Sequence, residues 1–202
     1  MRILEKKERA LGAKLMLKAD RCASGKCAHV RRPTRPGAHP RSFRKMSEFG
    51  KQLAEKQKVR FSYNLTEKQM KKYFDMANAS AEPTHEAFVK LLESRLDNVV
   101  FRSGLAGSRR IAKQLAGHGH ITVNGRKVTT PSYSVRVGDL IAFRTESADH
   151  EAVKNAESRF KNFEAPGWIK LDKEKKAAEI LTAPRDTEVP FDLDLVVNYY
   201  LK

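Results

Sequence analysis

The sequence predicts an α+β protein: a mostly helical N-terminal part, an inserted helix–helix–hairpin module and a basic, irregular N-terminal arm. Three observations predict it. Apolar residues recur at helical spacing through residues 46–92. The dipeptide Asn124-Gly125, the strongest short-range hairpin signal, follows two short helical stretches and precedes an alternating strand pattern. Residues 21–45 hold three prolines, two glycines and eight Arg or Lys, which leaves little for a core. The expected organisation is an arm over 1–45, a helical domain over 46–92 completed by 145–202, and a module over 93–144. The C-terminal segment 145–202 is expected to pack back on the helical domain.

Within 46–78, Ser47 is the first expected N-cap, with Phe49, Leu53 and Val59 at helical spacing. Thr66 is the second, followed by the stripe Met70, Tyr73, Phe74 and Ala77. A third helix opens at Thr84, with Ala87, Phe88, Leu91 and Leu92 facing inward. In the module, Leu96, Val99 and Val100 form one short helix that stops at Gly104. Ser108 caps another, with Ile111, Ala112 and Leu115 inward and Gly117 or Gly119 ending it. Ile121–Val123 and Val128 flank the hairpin turn, and Leu140–Phe143 makes the last strand. Beyond it, the apolar groups at Trp168–Leu171 and Phe191–Tyr200 read as a strand and a helix packed on their own chain.

Charge narrows the function. The 202-residue chain carries a formal net charge of +16, which selects phosphate polymers or anionic membrane as partners. No run of about 18 apolar residues occurs, so a membrane is not an expected partner. Residues 1–45 contain 14 Lys or Arg against 3 Asp or Glu, residues 46–144 contain 17 against 9, and residues 145–202 contain 9 against 12. The phosphate-seeking surface is therefore expected in the first 144 residues. The N-terminus is too often interrupted by charge for an export signal, and with two cysteines a reducing cytoplasm is expected.

In the arm, Arg31, Arg32, Arg35, Arg41, Arg44 and Lys45 are expected to contact RNA phosphates. On the helices, Lys56, Lys58 and Arg60 either solvate the polar face or grip phosphates. In the module, Arg109, Arg110, Lys113 and Gln114 lie on the helix face away from Leu115. His118, His120, Asn124, Arg126 and Lys127 come from the helix end and the hairpin. Together they form a basic groove with short polar donors, suited to RNA backbone shape rather than base sequence. Cys22 and Cys27, with His29 and His39 nearby, supply half of a four-ligand zinc set. No metal and no cofactor are expected; zinc at Cys22 and Cys27 is the less favoured alternative.

The stretch RLDNVVFRSGLAGSRRIAKQLAGHGHITVNGRKV resembles the RNA-binding motif named after small-subunit ribosomal protein four, which also occurs in pseudouridine synthases and bacterial tyrosyl-tRNA synthetases. The flanks KMSEFGKQLAEKQKVRFSYNLTEKQMKKYFDMA, RCASGKCAHVRRPTRPGAH and PFDLDLVVNYYLK resemble the bacterial-type ribosomal protein family itself. That resemblance implies a structural constituent of the small ribosomal subunit, which binds its RNA at a multi-helix junction, nucleates assembly, supports translational accuracy and touches ribosomal protein five. It also implies RNA-facing roles for Arg44, Lys56, Lys58, Arg60, Arg95, Arg102, Arg109, Arg110, Lys113, His118, His120, Asn124 and Arg126. Metal-binding members of the family carry a further cysteine pair, where Glu5 and Glu8 stand here.

An RNA-modifying enzyme built on the same module is the competing class. It would need a further domain of roughly 150 residues for a substrate pocket. Residues 145–202 offer only scattered carboxylates, among them Asp172, Glu174, Asp192 and Asp194, which read as surface charge. No small-molecule substrate is expected.

Overall fold

The computed structural model describes residues 5–18, 25–39, 45–147, 150–160, 163–184 and 189–201. The chain divides into two compact units, residues 1–88 with 188–202, and residues 89–187. Among the described residues no helix is long and apolar enough to cross a membrane.

The first unit is helical: α1 (Lys6–Leu11), α2 (Ala28–Arg31), α3 (Glu48–Ser62), α4 (Glu67–Asn78), the first half of α5 (Thr84–Glu93) and the C-terminal α9 (Leu193–Tyr200). The expected caps form. Ser47 Oγ accepts from the Gly50 N–H, and Thr66 and Gln69 make a reciprocal capping box. Met70, Phe74 and Ala77 are buried, as their spacing requires. Helix α9 lies along α3 because its aromatic face matches theirs. Tyr200 stacks on Phe74 at 4.8 Å and Tyr199 meets Phe49 at 5.6 Å.

A polar clasp closes this packing. The Lys56 ammonium donates to Glu67 at 2.8 Å and lies 4.5 Å from the centre of the Tyr199 ring. The Tyr200 hydroxyl donates to the same carboxylate at 3.0 Å. Burial pulls the Glu67 carboxyl up, but bonds from Lys56 and Tyr200 and the charges of Lys56 and Arg60 hold it below the ordinary range. Burial and Glu67 push the Tyr200 phenol up, so it keeps its donor proton.

The second unit begins with the rest of α5 and continues through α6 (Leu96–Arg102) and α7 (Arg109–Gly117). Next come β1 (Ile121–Val123), β2 (Arg126–Lys127), β3 (Leu140–Phe143), a 3₁₀ turn (Thr145–Ser147), α8 (Glu151–Phe160), β4 (Ile169–Asp172) and β5 (Ala177–Ile180). The five strands form one antiparallel sheet, ordered β2-β1-β3-β5-β4. Leu96, Val99, Leu105, Leu115, Ile121, Ile141, Phe160, Trp168 and Ile180 share one core. Arg159 on α8 secures the α6–α7 connection by donating to the Gly104 and Leu105 carbonyls at 3.3 and 2.9 Å. Gly104, at φ +76°, lets the Phe163 ring press on the backbone; a Cβ there would sit 2.8 Å from it.

Segment 145–202 therefore does not act as one piece, as the sequence led us to expect. Residues 145–187 belong with the module, where Ile141 of β3 pairs with Ala178 of β5 and extends the sheet. Only the end of the chain, with α9, returns to the helices. A short strand such as β3 has two edges to satisfy, and β5 supplies the second. Ile111, expected inward, is 38% exposed, and Phe49 is 54% exposed. Two of the carboxylates read as surface charge also organise backbone: Asp192 caps α9 by accepting from Leu195 N–H, and Asp172 accepts the Glu174 and Lys175 amides in the β4–β5 turn.

Candidate nucleic-acid interface

The module is organised around one buried carboxylate. Glu93, at the end of α5, is fully buried and receives Arg102 in two bonds of 3.0 Å, Nε to Oε2 and Nη2 to Oε1. The Asn98 amide donates to Glu93 Oε2 at 2.8 Å and to the Glu93 carbonyl at 3.0 Å. Asn98 Oδ1 accepts from Arg109 Nε at 2.7 Å, and the Arg109 guanidinium rests 4.6 Å from the centre of the Phe101 ring. Beside this cluster, Arg95 is 2% exposed and binds Asp97 through two bonds, of 3.0 and 2.6 Å.

These contacts give several of the expected RNA-facing residues partners within the chain. Arg95 is buried in its ion pair and has no path to a phosphate. Arg102 and Arg109 are turned to Glu93, because an unpaired carboxylate at that depth would cost far more than a lost surface contact. In the first unit Lys56 is 4% exposed and committed to Glu67; Arg60 also reaches Glu67, and Lys58 pairs with Glu55 on its own helix. Asn124 is a further case. It occupies the turn at φ +51°, donates to Asp139 at 2.8 Å and accepts from the Leu140 N–H at 2.8 Å. Its side chain locks the hairpin to β3 instead of waiting for a ligand. Replacing Asn124 by Ala should lower the stability of the second unit by about 2 kcal/mol, for two lost hydrogen bonds and a strained backbone. A urea midpoint that does not move would contradict that role.

What remains outward is compact. The turn from Gly104 to Ser108 and the Ser108 cap, which accepts from Ile111 N–H at 3.3 Å, aim α7 so that Arg110 and Gln114 are exposed and Lys113 partly so. His118 ends the helix, also exposed, and Arg126 and Lys127 are exposed on β2. His120, half-buried, adjoins them. Gly119 is required twice: it takes φ +76°, and the Lys127 side chain crosses its backbone, where a Cβ would lie 2.2 Å from Lys127 Cε. Gly119→Ala should therefore swing Lys127 away and weaken RNA binding roughly tenfold, about one phosphate contact near 0.1 M salt. An affinity equal to the wild type in a filter-binding titration would show that Lys127 does not depend on this crossing.

In the arm, Arg31, Arg32, Arg35 and Lys45 are exposed. The Arg9 side chain, which sequence reading missed, ties the arm to α1 by donating to the Arg32 and Thr34 carbonyls at 2.8 and 3.1 Å. Arg41, Arg44 and Cys22 lie outside the described residues. Cys27 is buried. Glu8 is also buried, and its carboxylate accepts the Leu15 and Leu17 amides at 2.9 and 3.4 Å.

A short capped helix and a tight hairpin, each presenting exposed cations, define a nucleic-acid-binding protein with a helix–helix–hairpin module. Residues 94–141 match the S4 domain model, and residues 4–93 match the model of the ribosomal protein S4/S9 N-terminal domain. Similar curated relatives, each covered to 93% of its own length by 95% of this chain, are small ribosomal subunit protein uS4 of Kosmotoga olearia at 42% identity and of Acetivibrio thermocellus at 43%. Protein uS4A of Alkaliphilus metalliredigens, with the same coverage, is 44% identical. The chain belongs to the bacterial uS4 family of ribosomal proteins.

Proposed function

We propose that this protein is a structural constituent of the small ribosomal subunit that binds the subunit's RNA through α7 and the hairpin of the second unit and, separately, through the basic arm of the first. The family is one of ribosomal structural proteins, not of enzymes. The observation that carries the reading is the separation of cations in the module. One set neutralises buried carboxylates, while Arg110 on α7 and Arg126 and Lys127 on β2 are exposed and Lys113 is partly so. Guanidinium and ammonium groups held on a rigid helix and hairpin match the spacing of a sugar–phosphate backbone and read its shape. In the first unit, Arg31, Arg32, Arg35 and Lys45 are exposed on the arm and supply further phosphate-seeking charge; Arg44 lies outside the described residues.

The finer reading follows the family resemblance. The protein binds at a multi-helix junction, nucleates assembly of the subunit body, supports accuracy and contacts ribosomal protein five. The reading requires no metal. Glu8, standing by that resemblance where metal-binding relatives place a cysteine, organises the residues after α1 by accepting the Leu15 and Leu17 amides. Footprinting of small-subunit ribosomal RNA with the purified protein, with and without chelator, tests both parts. Protection confined to one junction and indifferent to chelator is expected; protection scattered over the whole RNA, or lost on chelation, would refute them.

A further inference from the structure

We propose that His118, His120 and His150, with Lys127 and Arg144, form a proton-coupled seat for one RNA phosphate at the end of the sheet. The inference rests on the RNA-binding reading above. It adds Arg144 and His150 to that surface and makes one contact depend on pH.

The geometry begins in the backbone. The Arg144 N–H donates to the His120 carbonyl at 2.9 Å, which carries the sheet pairing one step past β3. The 3₁₀ turn then reverses the chain, with Ser147 N–H on the Arg144 carbonyl at 2.9 Å and His150 N–H on the Ser147 carbonyl at 3.0 Å. The His150 ring lies 4.4 Å from the His120 ring, centre to centre, and the His118 ring 6.1 Å from it. Ser147 Oγ sits 3.0 Å from His120 Nδ1, so Nε2 is the ring nitrogen that can serve a ligand. Lys127 reaches the same place across Gly119. The carboxylate recorded beside the cluster is Glu146, which pairs with Arg144 and is itself mostly exposed.

Three imidazoles and two permanent cations in one place have a definite electrostatic consequence. Burial, followed by the charges of His150, His118, Arg144 and Lys127, holds the His120 proton affinity below its ordinary value of 6.5. The neutral form of His120 is therefore favoured near pH 7. A phosphate brought among these rings reverses the sign of the local potential and stabilises the imidazolium forms. The complex then holds more protons than the free protein, so affinity must rise as pH falls. Folding responds in the opposite sense. Because His120 binds its proton less readily folded than unfolded, its contribution to stability is lost as pH falls below about 6.5. Tighter binding together with a slightly weaker free fold is the signature of the seat.

The test titrates the full chain against small-subunit ribosomal RNA at pH 7.5 and pH 6.0, at fixed ionic strength. Calorimetry in two buffers of different ionisation enthalpy counts the protons taken up. The wild type should bind about fivefold more tightly at the lower pH, with proton uptake, if phosphate lifts one imidazole by one to two pH units. His150→Gln, at an exposed position, should lose most of that gain, and Arg144→Gln should reduce it. Binding that is equally tight at both pH values overturns the seat and leaves the RNA reading standing, as does a His150→Gln protein with the full pH response. Binding at neither pH overturns both.

Discussion

Replacing Glu93 by glutamine should unfold much of the second unit's stability margin. Its carboxylate is fully buried and engages Arg102 in two bonds, with Asn98 and Arg109 beside it. Glutamine keeps the shape but removes the charge, leaving guanidinium groups without their counter-charge in a partly dry site. Breaking such a pair from one side costs about 3 kcal/mol, toward the lower end for buried ion pairs because Arg102 retains some solvent. For a unit of this size that corresponds to a fall in thermal midpoint on the order of 15 °C. The sole tryptophan, Trp168, is buried in the same core, so its fluorescence reports this unit. Glu86→Gln, on the exposed start of α5, should change the midpoint little. If Glu93→Gln unfolds within about 1 kcal/mol of the wild type, the carboxylate does not organise the module.

The double substitution Arg110→Ala with Lys113→Ala should weaken binding of small-subunit ribosomal RNA by about a hundredfold near 0.1 M salt, since each phosphate contact releases roughly 0.7–0.9 of a counterion. The slope of log affinity against log salt should fall by about 1.5, while the urea midpoint stays put. Arg109→Ala should behave differently. It removes a partner of Asn98 and Glu93, so it should lower stability as well as affinity. An unchanged salt slope in the double variant would remove α7 from the interface.

The contrast between Arg109 and Arg110 shows where reading the sequence stops. Both are arginines at the start of one helix, and the helix face that excludes Leu115 admits both. Only the arrival of Glu93 and Asn98, sixteen and eleven positions earlier, separates them. Lys56 is a similar case: its position on a polar helix face suits phosphate, yet Glu67 and the C-terminal tyrosines enclose it. Asn124 was legible as a turn residue but not as the lock between hairpin and β3, because Asp139 is brought to it by the fold. The five-stranded sheet was half legible. Its hairpin carries a local signal, whereas the pairing of β3 with β5 joins residues 35 to 39 positions apart.

The amino-acid order was sufficient for the caps at Ser47, Thr66 and Ser108, the turn at Asn124-Gly125, the buried helical stripes and the unequal distribution of charge. Each depends on groups within a few residues of one another, where chain connectivity already supplies proximity. Which cations pair with carboxylates of distant segments, and where residues 145–187 belong, were decided only by tertiary packing. Ion pairing in a desolvated site depends on the distance between charges and on the water excluded from around them. Both quantities come into being only when distant segments meet.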